Sequence, residues 1–323
     1  MSMVPPVVGV AGSWCVGSIV LSVLGGSLGG MRHEPGGAPG APSSPAGAGA
    51  PGVPSTTYGV VDPAAARRAF ALERLPAPVD LADRVDWFWL VRWDLPVGES
   101  FTQTVIPHPC VNLVAEPSGF AAHGIPDALF DRTLTGAGVV VAAKLRPGAL
   151  AVPRGTSVPA SDVLGPGADE AGERALALAE RGQHQAAVGV LADLLRDRLA
   201  PDPALPQVSR ALDAVTSGDL GPHARVSDLA RVAGTSTRSL QRLLGERLGV
   251  GPKWVLQRHR VHLAAERLAT DPGQDLAALA VDVGYYDQAH LAVDFVSTTG
   301  HTPSAYARRC AASQARALAL LLA

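Results

Sequence analysis

"VSDLARVAGTSTRSLQRLLGERLG" (226–249) has the pattern of two short helices joined by a tight turn. Leu229 and the small Ala230 lie five and four residues before Gly234, so the two helices can cross closely and the chain can turn at the glycine. Ser236 is a good N-cap for the second helix, since its hydroxyl can accept a hydrogen bond from the first turn. The buried stripe of that helix is predicted to contain Leu240, Leu243 or Leu244, and Leu248.

The opposite face of this second helix is polar. With the cap residue, it presents Ser236, Thr237, Arg238, Gln241, Arg242 and Arg247. Arginine can bind guanine through two hydrogen bonds and glutamine can bind adenine, while hydroxyls and further arginines bind phosphate. The face therefore predicts a helix that reads the major groove of DNA. An ordinary exposed amphipathic helix with scattered arginines is the alternative, because the pattern is short.

A second unit of the same kind, "DLAALAVDVGYYDQAHLAVDFVSTTG" (275–300), follows, and its turn glycine Gly284 lies 50 residues after Gly234. Asp287 can cap its second helix. Tyr285, Leu291 and Phe295 are predicted to pack this unit against the linker, and Gln288 and His290 are its polar candidates for DNA contact.

The segment between the two units, "GPKWVLQRHRVHLAAERLAT" (251–270), predicts one continuous amphipathic helix with Pro252 in its first turn. Two helix-turn-helix units joined by a long helix resemble the DNA-binding domain of the AraC/XylS family of bacterial transcription regulators. The stretches that carry the resemblance are "LARVAGTSTRSLQRLL" (229–244), "LAVDVGYYDQAHLAVDF" (279–295) and "TGHTPSAYAR" (299–308).

The resemblance covers about residues 222–310 and implies that each recognition helix enters one of two successive major grooves. It implies double-stranded DNA as the partner, with RNA polymerase and a second copy of the chain as further candidates. Family members usually carry basic residues where this chain has Val293, Val296 and Ser297, and Asp294 adds repulsion from phosphate. We therefore expect the first unit to supply most of the sequence reading and the second to act as a packing and weak-contact unit.

Residues 57–160 predict a β-rich, barrel- or sandwich-like domain, so the fold class is α+β with several domains. The strand-like runs are "DWFWLVRWDL" (86–95), "SFTQTVIPHPCVNLVAE" (100–116) and "GAGVVVAAKLRPGAL" (136–150). They are similar to an uncharacterised sensor-like domain that precedes this DNA-binding domain in actinobacterial-type regulators. That resemblance implies a small-molecule effector or a partner, without identifying it.

Trp87, Trp89, His108 and Cys110 are the candidate effector-binding residues. Strand alternation sends Trp87 and Trp89 to one face and Phe88 to the other, and packing in the core is the alternative role for these rings. His108, Cys110 and His123 could be taken for a metal set, or Cys110 for a thiol sensor. Their spacing supplies no ligand set, so no metal and no cofactor is expected.

Lys144 and Arg146 are interpreted as exposed strand-end charges rather than an anion site. No P-loop, Gly-x-Ser-x-Gly elbow or dinucleotide fingerprint occurs, so the chain is not expected to be an enzyme. A cupin-like β-domain enzyme or a thiol sensor fused to a DNA-binding module remains the alternative.

The remaining segments complete the predicted organisation. A helical connector spans 161–221, and its leucines predict either a dimer surface or a helix pair docked between the domains; they are Leu176, Leu191, Leu194, Leu195 and Leu199. The DNA-binding domain spans 222–311, and 312–323 is a C-terminal tail. Residues 1–56 read as a disordered low-complexity tail, with Met31 as an alternative start. The apolar run at 13–30 is too short for a membrane span, and a membrane or export signal is the alternative interpretation of this segment.

Charge is divided unevenly along the chain. Residues 222–323 carry 12 Lys/Arg and 8 Asp/Glu, a net charge of +4, which leaves −6 for the rest of a chain whose formal charge is −2. An acidic part and a mildly basic part indicate two tasks. The net charge argues against an architectural protein that binds DNA without an effector. Three scattered cysteines give no disulfide framework, so a reducing cytoplasm is the expected compartment.

Overall fold

The computed structural model describes residues 66, 68–106, 108–127 and 129–322; in the last helix it describes side chains only up to residue 315, apart from residue 313. The predicted tail 1–56, with Cys15 and Met31, lies outside these residues, as do the first residues of the predicted β-rich domain.

The N-terminal part is an antiparallel β structure, as predicted. Its strands are β1 (Phe70–Pro76), β2 (Val85–Asp94), β3 (Ser100–Val105), β4 (Asn112–Glu116), β5 (Gly119–His123), β6 (Phe130–Thr135), β7 (Ala137–Leu145) and β8 (Ser157–Pro159), with a 3-10 turn at Val79–Leu81. Six strands form one sheet in the order β1-β2-β7-β4-β5-β8, and β3 pairs with β6 in a separate ribbon. Within the described residues β1 and β8 are free edges, so the sheet is not a closed barrel.

The six-stranded sheet is covered on both faces, and β2 shows how. Side chains alternate along a strand, so Trp89, Val91 and Trp93 pack against the β3–β6 ribbon. Phe88 and Leu90 point to the other face, which is covered by helices. The predicted separation of Trp87 and Trp89 from Phe88 is confirmed, since Trp87 packs at the margin of the ribbon side.

The helices on that second face come from the predicted connector. They are α1 (Ala160–Leu164), α2 (Ala168–Glu180) and α3 (His184–Arg198). Leu191, Leu194 and Leu195 are buried in the same cluster as the sheet residues, and Leu176 packs against it. The prediction that these leucines form a dimer surface or dock between the domains is therefore wrong, because the sheet covers them.

The C-terminal part is entirely helical. Its helices are α4 (Leu205–Thr216), α5 (Val226–Val232), α6 (Thr237–Leu248), α7 (Pro252–Thr270), α8 (Leu276–Asp282), α9 (Gln288–Thr299) and α10 (Pro303–Leu322). The helical repeat and the linker helix are confirmed, and Pro252 begins α7 as predicted. Residues 312–322 belong to α10 and do not form a separate tail.

Two hydrophobic clusters divide these helices. One joins α4, α5, α6 and the start of α7, with Leu229, Leu240 and Leu244 fully buried. The other joins the rest of α7 with α8, α9 and α10. The predicted connector thus splits, since α1–α3 belong to the β structure and α4 to the first helical unit.

Loops of the β domain reach both helical units. Ile106 lies in the cluster of the second unit and Ile125 in that of the first. The Arg258 guanidinium on α7 donates to the Asp127 carbonyl at 3.3 Å, and the His108 ring lies 4.7 Å from the His262 ring of α7. We call this set of contacts the junction.

None of the described helices combines the length and the apolar character that a membrane span requires.

Candidate nucleic-acid interface

The first unit has the turn that its sequence predicts. Gly234 adopts φ +67, and the Thr235 amide donates back to the Ala230 carbonyl at 3.0 Å, which closes the end of α5. Ser236 caps α6, because its hydroxyl oxygen accepts from the Ser239 amide at 3.1 Å. The predicted cap is therefore confirmed.

α6 separates an apolar stripe from a polar face. Leu240, Leu244 and Leu248 are the buried residues of the helix, while Leu243 is half-buried. The exposed positions include Thr237, Arg238, Gln241 and Arg242. Residues 238, 241 and 242 stand three and four positions apart, so they share one side of the helix. Among the described residues, Arg238 has no ion-pair partner.

The two other arginines of α6 are held differently. Arg242 stands 3.9 Å from Glu246, one turn further along the exposed surface, which is a weak pair. Arg247 forms an ion pair with Asp202, a residue just before α4. This pair directs Arg247 towards α4 and away from the exposed face.

The second unit repeats the construction. Gly284 adopts φ +91, and the Tyr285 amide donates to the Ala280 carbonyl at 2.9 Å. Asp287 caps α9 as predicted, with its carboxylate accepting from the His290 amide at 2.9 Å. That hydrogen bond lowers the pKa of Asp287. Tyr285, Leu291 and Phe295 are buried where the sequence predicts packing.

The exposed side of α9 differs from that of α6. Gln288 and His290 are exposed, and the His290 imidazole lies 2.9 Å from the Asp287 carboxylate. Val293 is 69% exposed and Val296 is 41% exposed. Asp294 is half-buried and accepts from Gln257 of α7 at 3.2 Å, so its charge faces the linker helix.

Arg260 on α7 fixes the two units to each other. Its guanidinium donates to the carbonyls of Pro222 at 2.8 Å and Ala224 at 3.1 Å, both just before the first unit. It also lies 6.0 Å from the Tyr285 ring of the second unit. Gly284 approaches the same loop so closely that an added Cβ would lie 2.2 Å from the Pro222 carbonyl oxygen.

The four effector candidates have different surroundings in the structure. Trp89 is 1% exposed, and its indole N–H donates to the Oδ1 atom of Asn112 at 3.4 Å. The Nδ2 atom of the same Asn112 side chain lies 3.7 Å from the Cys110 sulfur. Trp87 lies 3.9 Å from the Lys144 ammonium. His108 lines a cavity of about 20 Å3 at the junction, which is room for a single water molecule.

Lys144 and Arg146 are not exposed strand-end charges, so that interpretation is wrong. Lys144 is 8% exposed and binds the Asp86 carboxylate at 2.8 Å. Arg146 reaches Asp86 at 3.6 Å and Asp213 of α4 at 3.4 Å, which ties the sheet to the helical part.

His123 lies in the β domain with both ring nitrogens buried and without a hydrogen-bond partner among the described residues. Burial, and to a smaller extent the charge of Arg132, lowers its pKa to about 4. Within the described residues no three His, Cys, Asp or Glu side chains are arranged to hold a metal ion.

The sequence reasoning missed the residues that position the two units. Arg260, Gln257 and Arg258 lie on a helix that was predicted correctly, but their partners are backbone carbonyls or come from distant segments. Hydrophobic periodicity carries no signal for such contacts. The one available signal is the presence of three arginines and one glutamine on a helix that is expected to be buried between two units.

Family models match both parts of the chain. Residues 229–309 match a model described as a helix-turn-helix domain, and residues 73–162 match a model described as a domain of unknown function, DUF6597. The resemblance of the C-terminal part to AraC-type domains is thereby confirmed, as is that of the β-rich part to an uncharacterised domain. The chain therefore carries an AraC-type helix-turn-helix domain after a domain of unknown function.

Several solved structures are similar to this chain. The C-terminal domain of AraT, a response regulator from Geobacillus stearothermophilus, is 24% identical over 33% of this chain and 88% of that chain, with a TM-score of 0.30. The DNA-binding domain of AdpA, a global transcriptional factor in complex with a target DNA, is 27% identical over 36% and 96%, with a TM-score of 0.28. ToxT from Vibrio cholerae is 12% identical over 74% and 98%, with a TM-score of 0.35. No curated protein sequence matches the chain.

Proposed function

We propose that this protein is a sequence-specific DNA-binding transcription regulator of the AraC type, in which α6 supplies most of the base reading. The observation that carries the proposal is the exposed side of α6. Arg238 and Gln241 stand on the side opposite the buried leucines, on a helix that is capped at its start and packed against α5 and α7.

The chemistry of that face suits the major groove. A guanidinium can donate two hydrogen bonds to guanine, and a carboxamide can pair with adenine. Thr237 and Arg242 flank this pair and can bind phosphate. Arg247 is left out of the proposed reading set, because its ion pair with Asp202 already holds it.

The proposal is tested by selecting binding sites from random duplex DNA with the full chain at two salt concentrations. We expect a motif of two half-sites about 10 base pairs apart, with strong base preference in one of them. Arg238→Ala should relax that preference. Arg174→Ala replaces an exposed arginine in the middle of α2, in the β domain, and should leave the motif unchanged. Failure to enrich any motif at either salt concentration would refute the proposal.

We further propose that the β domain controls DNA binding through the junction. It touches both helical units, with Ile106 in one cluster and Ile125 in the other. The junction contacts can have one arrangement that is competent to bind DNA and one that is not. A small molecule or partner that binds one arrangement more tightly than the other would shift the population between them, and the DNA affinity would change by that difference in binding free energy.

Two buried residues make a matched test of this control. Ile106→Ala removes a β-domain side chain from the core of the second unit, whereas Val139→Ala removes one from inside the β domain. We expect the first variant to change the DNA dissociation constant several-fold and the second to lower stability without changing DNA binding. Equal effects on DNA binding would contradict control through the junction.

A further inference from the structure

α6 and α9 can be aligned residue by residue from their caps and buried positions. Ser236 and Asp287 are the N-caps, Leu240 corresponds to Leu291, and Leu244 corresponds to Phe295. Both helices end at a glycine with positive φ. Every position on the exposed side of α6 therefore has a counterpart on α9.

The counterparts of most exposed residues on this side of α6 are apolar. Arg238, Gln241, Arg242 and Gly245 of α6 correspond to Ala289, Ala292, Val293 and Val296 of α9. We call these four α9 residues the apolar face. They follow a spacing of three and four residues, so they form one continuous side of the helix, opposite Leu291 and Phe295.

Three of the four residues of the apolar face are exposed, and Ala292 is half-buried. Among the described residues, the large hydrophobic side chains that are exposed are Val79, Val97, Val281, Tyr286, Val293 and Val296, so four of the six fall within residues 281–296. Two of these four, Val293 and Val296, belong to the apolar face, and neighbouring exposed valines on one helix side indicate a contact surface rather than scattered surface residues.

Charge around the apolar face fits DNA. Arg225 and Lys253, both exposed, line an open groove of about 500 Å3 together with His290 and Val293. These two cations come from the start of α5 and of α7, so they can bind phosphate beside a helix that has no basic residue of its own. Asp294 also lines this groove, where its carboxylate accepts from Gln257 of the linker helix, and Arg260 adds a third cation to the lining.

We propose that the apolar face of α9 reads A·T pairs in the second half-site by contact with thymine methyl groups, while Arg225 and Lys253 anchor the neighbouring phosphates. This inference rests on the proposed function. The thymine methyl is the apolar group that the major groove displays, and alanine-sized side chains are suited to contact it. Gln288, exposed in the first turn, can pair with the adenine of the same steps.

The test replaces thymine by deoxyuridine in the second half-site of the selected duplex, which removes only the methyl groups. Binding of the full chain is measured by fluorescence anisotropy. Removal of each methyl group that contacts the protein should weaken binding about fourfold, because the burial of one methylene-sized group is lost. In Val293→Ala this loss should become smaller. Val281→Ala changes an exposed valine of the same unit that lies on α8, outside the apolar face, and should keep the full loss.

Other results would overturn the inference in recognisable ways. If deoxyuridine in the second half-site causes no loss of affinity, α9 does not contact thymine methyl groups. The proposed role of α6 would be unaffected by that result. If Val293→Ala changed the oligomeric state on size-exclusion chromatography and left DNA affinity unchanged, the apolar face would be a protein contact. Absence of any selected motif would instead remove the proposed function itself.

Discussion

Gly234 and Gly284 occupy the same turn position in the two units, and replacing each by alanine separates two physical effects. Both have positive φ, +67 and +91, a region that costs an L-residue about 1–2 kcal/mol. Around Gly234 a Cβ would meet nothing within 4 Å. At Gly284 it would lie 2.2 Å from the Pro222 carbonyl oxygen and 3.1 Å from the Arg260 guanidinium.

Gly234→Ala should therefore show backbone strain alone, a loss of about 1–2 kcal/mol, reduced by the entropy that alanine removes from the unfolded chain. Gly284→Ala adds a clash with a backbone atom that cannot rotate away, and overpacking of this kind costs about 1–3 kcal/mol more. The assay is urea denaturation followed by circular dichroism, comparing the midpoints of the two variants with that of the parent.

The comparison also tests the contact between the two units. If the two variants lose the same stability, the close approach of the Gly284 turn to the Pro222 loop is not part of the folded structure. Arg260 donates to the same carbonyl at 2.8 Å, so that result would also contradict its role in fixing the two units to each other.

Three further predictions concern single side chains. Ser236→Ala removes the cap of α6 and should lower the free energy of unfolding by about 1 kcal/mol, measured by urea denaturation. Arg247→Ala breaks the pair with Asp202 and should cost less than about 1 kcal/mol while leaving the selected DNA motif unchanged; a changed motif would return Arg247 to the reading set. His123 has a folded pKa of about 4 against 6.5 unfolded, so the unfolded state binds the proton first and stability falls as pH drops from about 6.5 to 4. His123→Leu should reduce that fall, by up to about 1.4 kcal/mol per pH unit, in denaturation at pH 7 and pH 5.

The helical third of the fold is strongly encoded in local sequence. Caps, turn glycines and a leucine stripe at helical spacing each act within a few residues, so the roles of Ser236, Gly234 and Leu240 follow from the sequence alone. The linker helix is predictable for the same reason, because its proline and its apolar positions are local signals.

The β domain was predictable only where its strands are long and rich in β-branched or aromatic residues, as in β2 and β7. The strands β1, β5, β6 and β8 were missed. β1 is an edge of the sheet and β5 has only 5 residues, while β6 and β8 pair with strands that are distant in the chain. The roles of Lys144 and of the connector leucines were wrong for a related reason. Burial of Lys144 depends on Asp86, 58 residues away, and the leucines are covered by a sheet that their own periodicity cannot reveal.

Helical spacing in the sequence predicts the candidate reading face of α6, but it does not predict which arginines of α6 belong to that face. Arg238 and Arg247 look alike in the sequence, and only the position of Asp202 separates them. The apolar face of α9 was visible as a missing set of charges, although its correspondence with α6 required the observed caps and buried positions.

The most direct test of the central claim is a double-mutant cycle between Arg238 and the guanine that it is expected to read in the selected site. The parent protein and Arg238→Ala are each titrated against the selected duplex and against one in which that G·C pair is changed to A·T. The parent should lose about 1–3 kcal/mol of binding free energy on the base change, and the variant should lose almost none. Equal losses in both proteins would show that α6 does not read this base through Arg238, and would contradict the account.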